Sequence, residues 1–172
     1  MDHPHILIGS IQTDRLGEVW AALSAHGLVA VEFGVKRAGF EASVRKQTHG
    51  ELEYAPGRLA ETTRQIKQYV DGKRRSFDIK IDWSIISSDF QRAALQAVFS
   101  IPYGETRTYT QVAEQIGHPD APRAMGRANA TNPMPLVIPC HRVIGTDGKL
   151  HGYGGAGGLK TKAWLLDMEH AK

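Results

Sequence analysis

Residues 138–144 read Ile138-Pro139-Cys140-His141-Arg142-Val143-Ile144, a polar and reactive centre between apolar flanks. Cys140 is the only cysteine in the sequence of 172 residues, so the chain can form neither an internal disulfide nor a multi-cysteine metal site. The thiol is therefore either a buried, inert side chain or a nucleophile. His141 favours a nucleophile, because an adjacent histidine can hold a thiol as thiolate near neutral pH.

The composition is that of an ordinary globular protein. Hydrophobic residues make up 41% of the chain and charged residues 23%. The longest apolar runs, such as residues 27–31, are too short to cross a bilayer, and residues 1–5 lack the features of a secretory signal. With a single cysteine, these features predict a reducing intracellular compartment.

The net charge of +3 is unevenly distributed along the chain. Residues 101–162 contain seven basic and four acidic side chains, and the remainder contains fourteen of each sign. The whole positive excess therefore lies in the segment that carries Cys140, as expected for a face that meets a polyanion. A solvated basic surface would give the same count.

The N-terminal half predicts a small α/β domain over residues 1–84 that lacks catalytic motifs. Its short apolar runs are separated by turn residues, a pattern typical of strands. One stretch instead places its apolar residues on a single helical face. The predicted extended segments are residues 6–8, 19–23, 28–33 and 77–83, and the predicted helix covers residues 59–70.

The C-terminal half, residues 87–172, predicts mainly helices, which gives the whole chain an α+β fold. Ser88 or Asp89 can cap a first helix. Residues 110–116 and a stretch that begins at Pro122 predict two short helices joined by a tight turn. Such a pair indicates a DNA-binding helix-turn-helix, although an ordinary helical hairpin explains the pattern almost as well. A last helix is predicted around residues 162–169.

Four sequence blocks in the C-terminal half resemble those of one known family. They are Ile101-Pro102-Tyr103-Gly104-Glu105-Thr106, then Tyr109, then Asn132-Pro133-Met134-Pro135, and finally the stretch around Cys140. The order and spacing are similar to those of the O6-alkylguanine-DNA alkyltransferases, the methylated-DNA–protein-cysteine methyltransferases. Over residues 1–84 only the α/β layout is similar. The resemblance implies repair of alkylated DNA by direct transfer of the alkyl group to the protein, once per protein molecule.

The resemblance implies roles for the residues around the thiol. Cys140 is the alkyl acceptor, and its product is a thioether that water cannot readily hydrolyse. His141 is the base, acting through a water, and Glu169 is the carboxylate that orients it. Asn132 is the hinge between the recognition helix and the active-site loop.

Two further side chains are implied to act on the leaving guanine. Tyr109 donates to the guanine ring and Lys162 stabilises O6, both where negative charge develops. Tyr153 and Pro135 are implied to line the substrate pocket. The glycine-rich stretch at residues 152–159 is two residues longer than the corresponding family loop, and its extra glycines are a reason to expect an altered range of adducts.

For the helix that begins at Pro122, the resemblance implies contact with the minor groove. Arg123 enters the duplex and fills the space of the target nucleotide, which must leave the stack before its O6 can be reached. Minor-groove reading is degenerate, as suits a repair protein that ignores sequence. The implied DNA contacts are Arg123, Ala124, Arg127, Ala128 and Thr110.

The implied partner is double-stranded DNA that contains alkylated bases. O6-alkylguanine is the expected substrate and O4-alkylthymine a further one. The resemblance implies a monomer that needs no cofactor, no metal and no membrane. The expected compartment is the cytoplasm in a prokaryote or the nucleus in a eukaryote.

Two other functions stay open at the level of the sequence. An alkyltransferase-like protein binds the lesion and flips the base without transfer, but such proteins lack the acceptor cysteine. A cysteine hydrolase could use Cys140 with a histidine. Adjacent side chains on an extended segment point in opposite directions, however, so direct contact between Cys140 and His141 is awkward.

Overall fold

The computed structural model describes residues 2–171, and the chain separates into two units whose boundary lies between Ile85 and Ile86. The N-terminal unit consists of a four-stranded sheet and two helices. Its elements are β1 (His5–Thr13), β2 (Gly17–Ser24), β3 (Gly27–Phe33), α1 (Arg37–Thr48), β4 (Glu51–Tyr54) and α2 (Ala60–Val70). The strand order is β3-β2-β1-β4. Strand β2 pairs antiparallel with both β1 and β3, and β4 pairs parallel with β1.

One cluster of the core of this unit lies between the sheet and α1, and α2 packs its own buried residues against β1 and β2. The ring of Trp20 stacks on that of Phe40, with centroids 5.6 Å apart. Ile6 and Ile8 alternate into the same cluster from β1, as the period of two in a strand requires. The predicted strands at residues 6–8, 19–23 and 28–33 and the predicted helix at 59–70 are confirmed.

The sequence did not reveal α1 and β4. In α1 only Phe40 and Val44 are buried, so its apolar stripe is a single turn long. β4 is an edge strand in which Leu52 alone is half-buried, and charged residues flank it. Both elements owe their structure to packing against neighbours more than to a periodic pattern of their own.

The extended segment expected at residues 77–83 is wrong as a strand. Its backbone exchanges only two hydrogen bonds with the sheet, both at Leu28. Leu28 N–H donates to the Lys80 carbonyl at 2.8 Å, and Asp82 N–H donates to the Leu28 carbonyl at 3.0 Å. Apolar and polar residues do alternate over residues 77–83, but the segment pairs with the sheet through one isolated β-bridge, between Ile81 and Leu28.

The C-terminal unit is mainly helical, so the α+β fold is confirmed. The elements of this unit are α3 (Asp89–Phe99), β5 (Arg107–Thr108), α4 (Tyr109–Gln115), α5 (Pro122–Ala130), β6 (Val143–Ile144) and α6 (Leu159–Glu169). Helix α3 contacts both α4 and α5, and α4 contacts α5. Strands β5 and β6 form a short parallel pair, and β5 contacts α4. Within residues 2–171, the structure contains no helix long and apolar enough to span a bilayer.

Helix caps place two of the candidate site residues. The Ser88 side chain, rather than Asp89, accepts the Gln91 N–H and begins α3. Thr108 forms a capping box with Gln111, which begins α4 one residue earlier than expected and puts Tyr109 in its first turn. Pro122 is the first residue of α5, so Arg123 also lies at a helix start.

Candidate active site

Cys140 is buried at the start of a 3₁₀ turn that spans Cys140–Arg142. The sequence had suggested an extended segment, and the structure shows a turn instead. Successive side chains of a 3₁₀ turn diverge by about 120°, so the side chains of Cys140 and His141 still do not face one another. The geometry disfavours a directly paired Cys–His nucleophile for a different reason from the one expected.

Two asparagines hold the loop that carries the thiol. Asn132 Nδ2 donates to the Ile138 carbonyl at 2.9 Å, and Asn132 Oδ1 accepts the Met134 N–H at 2.9 Å. Asn129 Nδ2 donates to the Cys140 carbonyl at 3.0 Å. Asn132 thus closes the loop on itself, while Asn129 ties its far end to α5.

Burial raises the pKa of the Cys140 thiol, and the Asn132 amide and the Lys162 ammonium oppose that rise only in part. The thiol is therefore protonated at neutral pH in this structure. The expectation that His141 holds it as a thiolate is wrong for the resting protein. A base must remove the proton when the substrate is in place.

His141 and Arg142 share one buried carboxylate. His141 Nε2 lies 2.9 Å from Glu169 Oε1. Arg142 donates to both oxygens of Glu169, from Nε at 2.9 Å to Oε2 and from Nη2 at 2.7 Å to Oε1. The Gly104 N–H adds a weaker bond at 3.3 Å. The structure thus brings Glu169 to His141 across 28 residues of sequence, as the resemblance implied.

Burial lowers the pKa of His141, and Glu169 opposes the shift. The imidazole is therefore neutral and able to accept a proton. A carboxylate at hydrogen-bond distance then stabilises the imidazolium that forms. This is the arrangement that a base needs when the nucleophile begins as a neutral thiol.

Arg142 was missed as a site residue by sequence reasoning. Its Nη1 also donates to the Ile101 carbonyl at 2.6 Å, so the side chain links α6 to the loop after α3. The available signal was an arginine inside an otherwise apolar motif, since a buried guanidinium requires a carboxylate partner. Asn129 was missed as well, and nothing in the sequence pattern marked it.

Lys162 is fully buried and donates to three backbone carbonyls. Its Nζ lies 2.6 Å from Val143 O, 3.1 Å from His151 O and 3.2 Å from Gly152 O. Burial lowers the pKa of Lys162 to about 8, and the nearby Cys140 opposes that shift. The side chain is still mostly charged at neutral pH, and it reaches the Tyr109 hydroxyl at 3.5 Å.

The Tyr109 hydroxyl donates to the His151 carbonyl at 2.7 Å. Burial raises the pKa of this phenol, the Asn129 amide opposes the rise, and Cys140 adds to it. Tyr109 is therefore a neutral donor beside Lys162. Together with Lys162 it forms a pair of donors where the resemblance placed the leaving guanine.

A cavity of about 570 Å³ opens beside these donors. Burial raises the pKa of the Tyr153 phenol well above its usual value, and Cys140 adds to the rise. Tyr153 does not line this cavity. The Tyr153 hydroxyl is buried without a hydrogen-bond partner among residues 2–171. Pro135 is buried and does not line this cavity. The lining residues are Tyr109, Pro122, Arg123, Gly126, Gly145, Thr146, Asp147, His151 and Gly152.

The glycine-rich loop is held closely against α5 at one point. A Cβ on Gly154 would lie 2.4 Å from the Ala130 carbonyl oxygen, so only glycine fits there. Gly157 and Gly158 both have positive φ angles, 82° and 56°, and lead into α6. The loop thus reaches Lys162 through backbone conformations that favour glycine.

The exposed face of α5 carries most of the residues expected to contact DNA. Arg123, Ala124 and Arg127 are exposed. Ala128 is 5% exposed and Thr110 is half-buried, so these two offer little surface. A second cavity, of about 450 Å³, is lined by Arg123, Arg127 and Thr131 among others. Arg123 therefore lies between the two cavities.

Replacing Asn132 with alanine removes both hydrogen bonds that close the loop. We expect Asn132→Ala to lower the free energy of unfolding by about 1–3 kcal/mol, because the Met134 N–H loses its partner and the buried Ile138 carbonyl keeps only the Cys140 N–H. Urea denaturation followed by tryptophan fluorescence measures the change. Thr146→Ala, at an exposed position, is the control and should stay within about 0.5 kcal/mol. Equal stabilities for the two variants would contradict the hinge.

Comparison with known proteins places this geometry in a family. The family model for 6-O-methylguanine DNA methyltransferase, DNA binding domain, matches residues 89–171. A methylated-DNA–protein-cysteine methyltransferase of Mycobacterium tuberculosis (strain ATCC 25618 / H37Rv) is 40% identical over 150 residues, which cover 87% of this chain and 86% of that protein. The chain belongs to the methylated-DNA–protein-cysteine methyltransferase family.

Other members of the methyltransferase family agree with this assignment. A methylated-DNA–protein-cysteine methyltransferase of Methanosarcina barkeri (strain Fusaro / DSM 804) is 51% identical over 109 residues, 63% of this chain and 66% of that one. The solved structure of Mycobacterium tuberculosis OGT in complex with DNA superimposes with a TM-score of 0.78 at 36% identity, covering 96% of this chain and 92% of that one. This methyltransferase acts in direct DNA repair by alkyl transfer, and a non-catalytic lesion-binding role is not favoured.

Proposed function

We propose that the Cys140 sulfur takes the alkyl group from O6-alkylguanine in DNA by a single displacement. The new bond joins Sγ to the alkyl carbon while the bond from that carbon to O6 breaks. The observation that carries the proposal is the buried thiol, with a neutral imidazole backed by Glu169 and with the paired donors Tyr109 and Lys162. The product is a thioether, so each protein molecule acts once.

His141 removes the thiol proton in this reaction. Because Nε2 is engaged with Glu169, Nδ1 is the ring nitrogen that takes the proton, through a water. Arg142 holds the Glu169 carboxylate with two donors and keeps it from rotating away. His141 is thus the catalytic base, and Arg142 is a positioning residue.

Tyr109 and Lys162 stabilise the leaving guanine. Negative charge develops on the purine as the carbon–oxygen bond breaks, and preorganised donors at that place lower the barrier. Lys162, which is mostly charged at neutral pH, meets O6, and Tyr109 donates to the ring. O4-alkylthymine has the same alkyl–oxygen bond and is a second candidate substrate.

The target base must leave the duplex to reach a buried thiol. We place α5 in the minor groove as the second helix of a helix-turn-helix, with Arg123 entering the base stack. The exposure of Arg123, Ala124 and Arg127 supports this placement, and so does the position of Arg123 at the rim of the 570 Å³ cavity. Thr110 and Ala128 contribute at most close backbone approach.

In this proposal residues 87–172 bind DNA and accept the alkyl group, and residues 1–84 support them. The protein is proposed to act as a monomer, as the family resemblance implies. The proposed displacement needs neither a cofactor nor a metal, because Cys140 supplies the nucleophile and His141 the base. A cytoplasmic or nuclear location stays a prediction.

The direct test is the mass of the protein after reaction with a duplex that contains one O6-methylguanine. We expect a gain of one methyl group on the peptide that contains Cys140, saturating at one equivalent of DNA. Tight binding without a change of mass would instead make the protein a lesion-binding module. Repeated turnover of substrate would indicate a hydrolase.

Arg123→Ala should slow the repair of duplex DNA without slowing the reaction with a free alkylated base. We expect this variant to repair O6-methylguanine in duplex DNA about 10–100-fold more slowly, because nothing fills the space of the extruded nucleotide and flipping costs a few kcal/mol. Its reaction with free O6-benzylguanine should match that of the unmodified protein. Rate constants for the two substrates are the measurement.

Arg127→Ala is the matched control on the same helix. A phosphate-contacting arginine should weaken binding uniformly and reduce the salt slope of log K by about 1, with little effect on the rate of the bound complex. If Arg123→Ala behaved in the same way as Arg127→Ala, the role in base flipping would be wrong.

A further inference from the structure

A pair of side chains in the loop after β6 takes no part in the proposed reaction. His151 Nε2 lies 3.0 Å from Asp147 Oδ1 and 3.2 Å from Oδ2. Both residues line the 570 Å³ cavity, as does Arg123. The pair is about half exposed, 55% for the histidine and 49% for the aspartate, so burial does not explain its geometry.

A tight turn over residues 145–149 carries the aspartate of this pair. Gly145 N–H donates to the Lys149 carbonyl at 2.9 Å, and Lys149 N–H donates to Asp147 Oδ1 at 3.0 Å. The Lys149 amide, and after it His151, lower the pKa of the Asp147 carboxyl. An anionic carboxylate on a hydrogen-bonded turn is a firm anchor for the His151 ring.

Both side chains of the pair pack closely on the backbone at Gly145. A Cβ at residue 145 would lie 2.3 Å from His151 Cδ2 and 2.5 Å from Asp147 Oδ1. These atoms are the ends of half-exposed side chains, so a larger residue at position 145 would displace the pair. Contact with the Gly145 backbone therefore adds to the hydrogen bond in placing the two side chains.

The backbone of His151 occupies the donors that the reaction needs. Its carbonyl accepts from the Tyr109 hydroxyl at 2.7 Å and from Lys162 Nζ at 3.1 Å, which uses both of its lone pairs. The Gly152 carbonyl accepts a further bond from Lys162. An incoming guanine can accept hydrogen bonds from Tyr109 and Lys162 only if these donors release the carbonyls of residues 151–152.

We propose that the Asp147–His151 pair is a latch that holds the loop carbonyls on Tyr109 and Lys162 and thereby limits the size of the alkyl adduct that the pocket admits. The inference rests on the proposed alkyl transfer. Asp147, His151 and Gly152 line the cavity, so a bulky benzyl group there would displace residues 151–152 further than a methyl group would. The latch resists the larger displacement more, so the pair determines specificity without touching the reacting atoms.

Two variants of one residue isolate the latch. His151→Phe keeps a flat ring over Gly145 but has no donor for Asp147. His151→Gln keeps a donor of similar reach and is the matched control. Because the side chain is about half exposed, neither change should unfold the protein, which thermal melting would verify. The measurement is the ratio of rate constants for O6-benzylguanine and O6-methylguanine in the same duplex sequence.

For His151→Phe we expect the benzyl-to-methyl ratio to rise about two- to five-fold, the range that an exposed hydrogen-bonded pair can supply. The ratio for His151→Gln should stay near that of the unmodified protein. Amide hydrogen exchange across residues 146–153 should also accelerate in His151→Phe alone. These results together would support the latch.

An unchanged benzyl-to-methyl ratio in His151→Phe would overturn the control of adduct size. Failure of the proposed function would look different, because the unmodified protein would then transfer no alkyl group at all. In that case amide hydrogen exchange still tests the latch, because this measurement does not require alkyl transfer. Equal exchange in His151→Phe and the unmodified protein would overturn the latch itself.

Discussion

Cys140→Ser should lower the rate of methyl transfer from O6-methylguanine in DNA by at least ~10³-fold, because the variant loses its nucleophile. Serine has nearly the volume of cysteine, so the buried loop should keep its shape. Its hydroxyl is a far weaker acid than a thiol, and His141 cannot generate an alkoxide at neutral pH. The measurement is the transfer of a labelled methyl group to protein under single-turnover conditions.

The binding of the same variant provides the control. Lesion-containing duplex should bind to Cys140→Ser with an affinity close to that of the unmodified protein, since the exposed face of α5 is intact. Transfer at a normal rate by the variant would move the acceptor to another residue and overturn the proposed function. Loss of both binding and transfer would instead indicate a folding defect, which circular dichroism would reveal.

Glu169→Ala should give the largest loss of stability among the changes considered. The substitution leaves Arg142 buried without its carboxylate, and breaking a buried pair in this way costs about 3–5 kcal/mol. Urea denaturation of the two proteins at pH 7 measures the difference. We also expect alkyl transfer to slow by about 10²-fold or more, because His141 loses the group that stabilises its charged form.

An exposed carboxylate in the same unit is the matched control for this prediction. Glu105 pairs with Arg107 at 2.9 Å, but both side chains are largely exposed, 50% and 39%. Glu105→Ala should therefore cost no more than about 1 kcal/mol. A double variant, Glu169→Gln with Arg142→Met, should lose less stability than Glu169→Ala, because no charge is left unpaired. Equal losses for Glu169→Ala and Glu105→Ala would contradict the structural role of the buried cluster.

The sequence predicted which residues meet in the site better than it predicted their electrostatics. Residues 138–144 indicated Cys140 and its proposed base His141, and the resemblance located Glu169, although 28 residues separate it from His141. The protonation state of Cys140 was predicted wrongly, because adjacency to histidine says nothing about burial. Desolvation depends on the packed structure and outweighs the neighbouring amide and ammonium groups.

Elements of the fold could be predicted where a local pattern of residues determines them. Ser88 and Pro122 mark helix starts through their own side chains, and both were read from the sequence. Helix α1 and strand β4 depend on neighbours that are distant along the chain, so local periodicity did not show them. Arg142 and Asn129 depend in the same way on partners reached only by folding.

The protonated state of the buried Cys140 thiol has a consequence for the lifetime of the unused protein. Small electrophiles and oxidants in a cell attack cysteines in proportion to their thiolate content and their exposure, and Cys140 offers little of either. A protein that can react only once is wasted by any accidental modification. A nucleophile that stays uncharged and enclosed until a damaged base arrives therefore keeps more of the protein able to carry out repair.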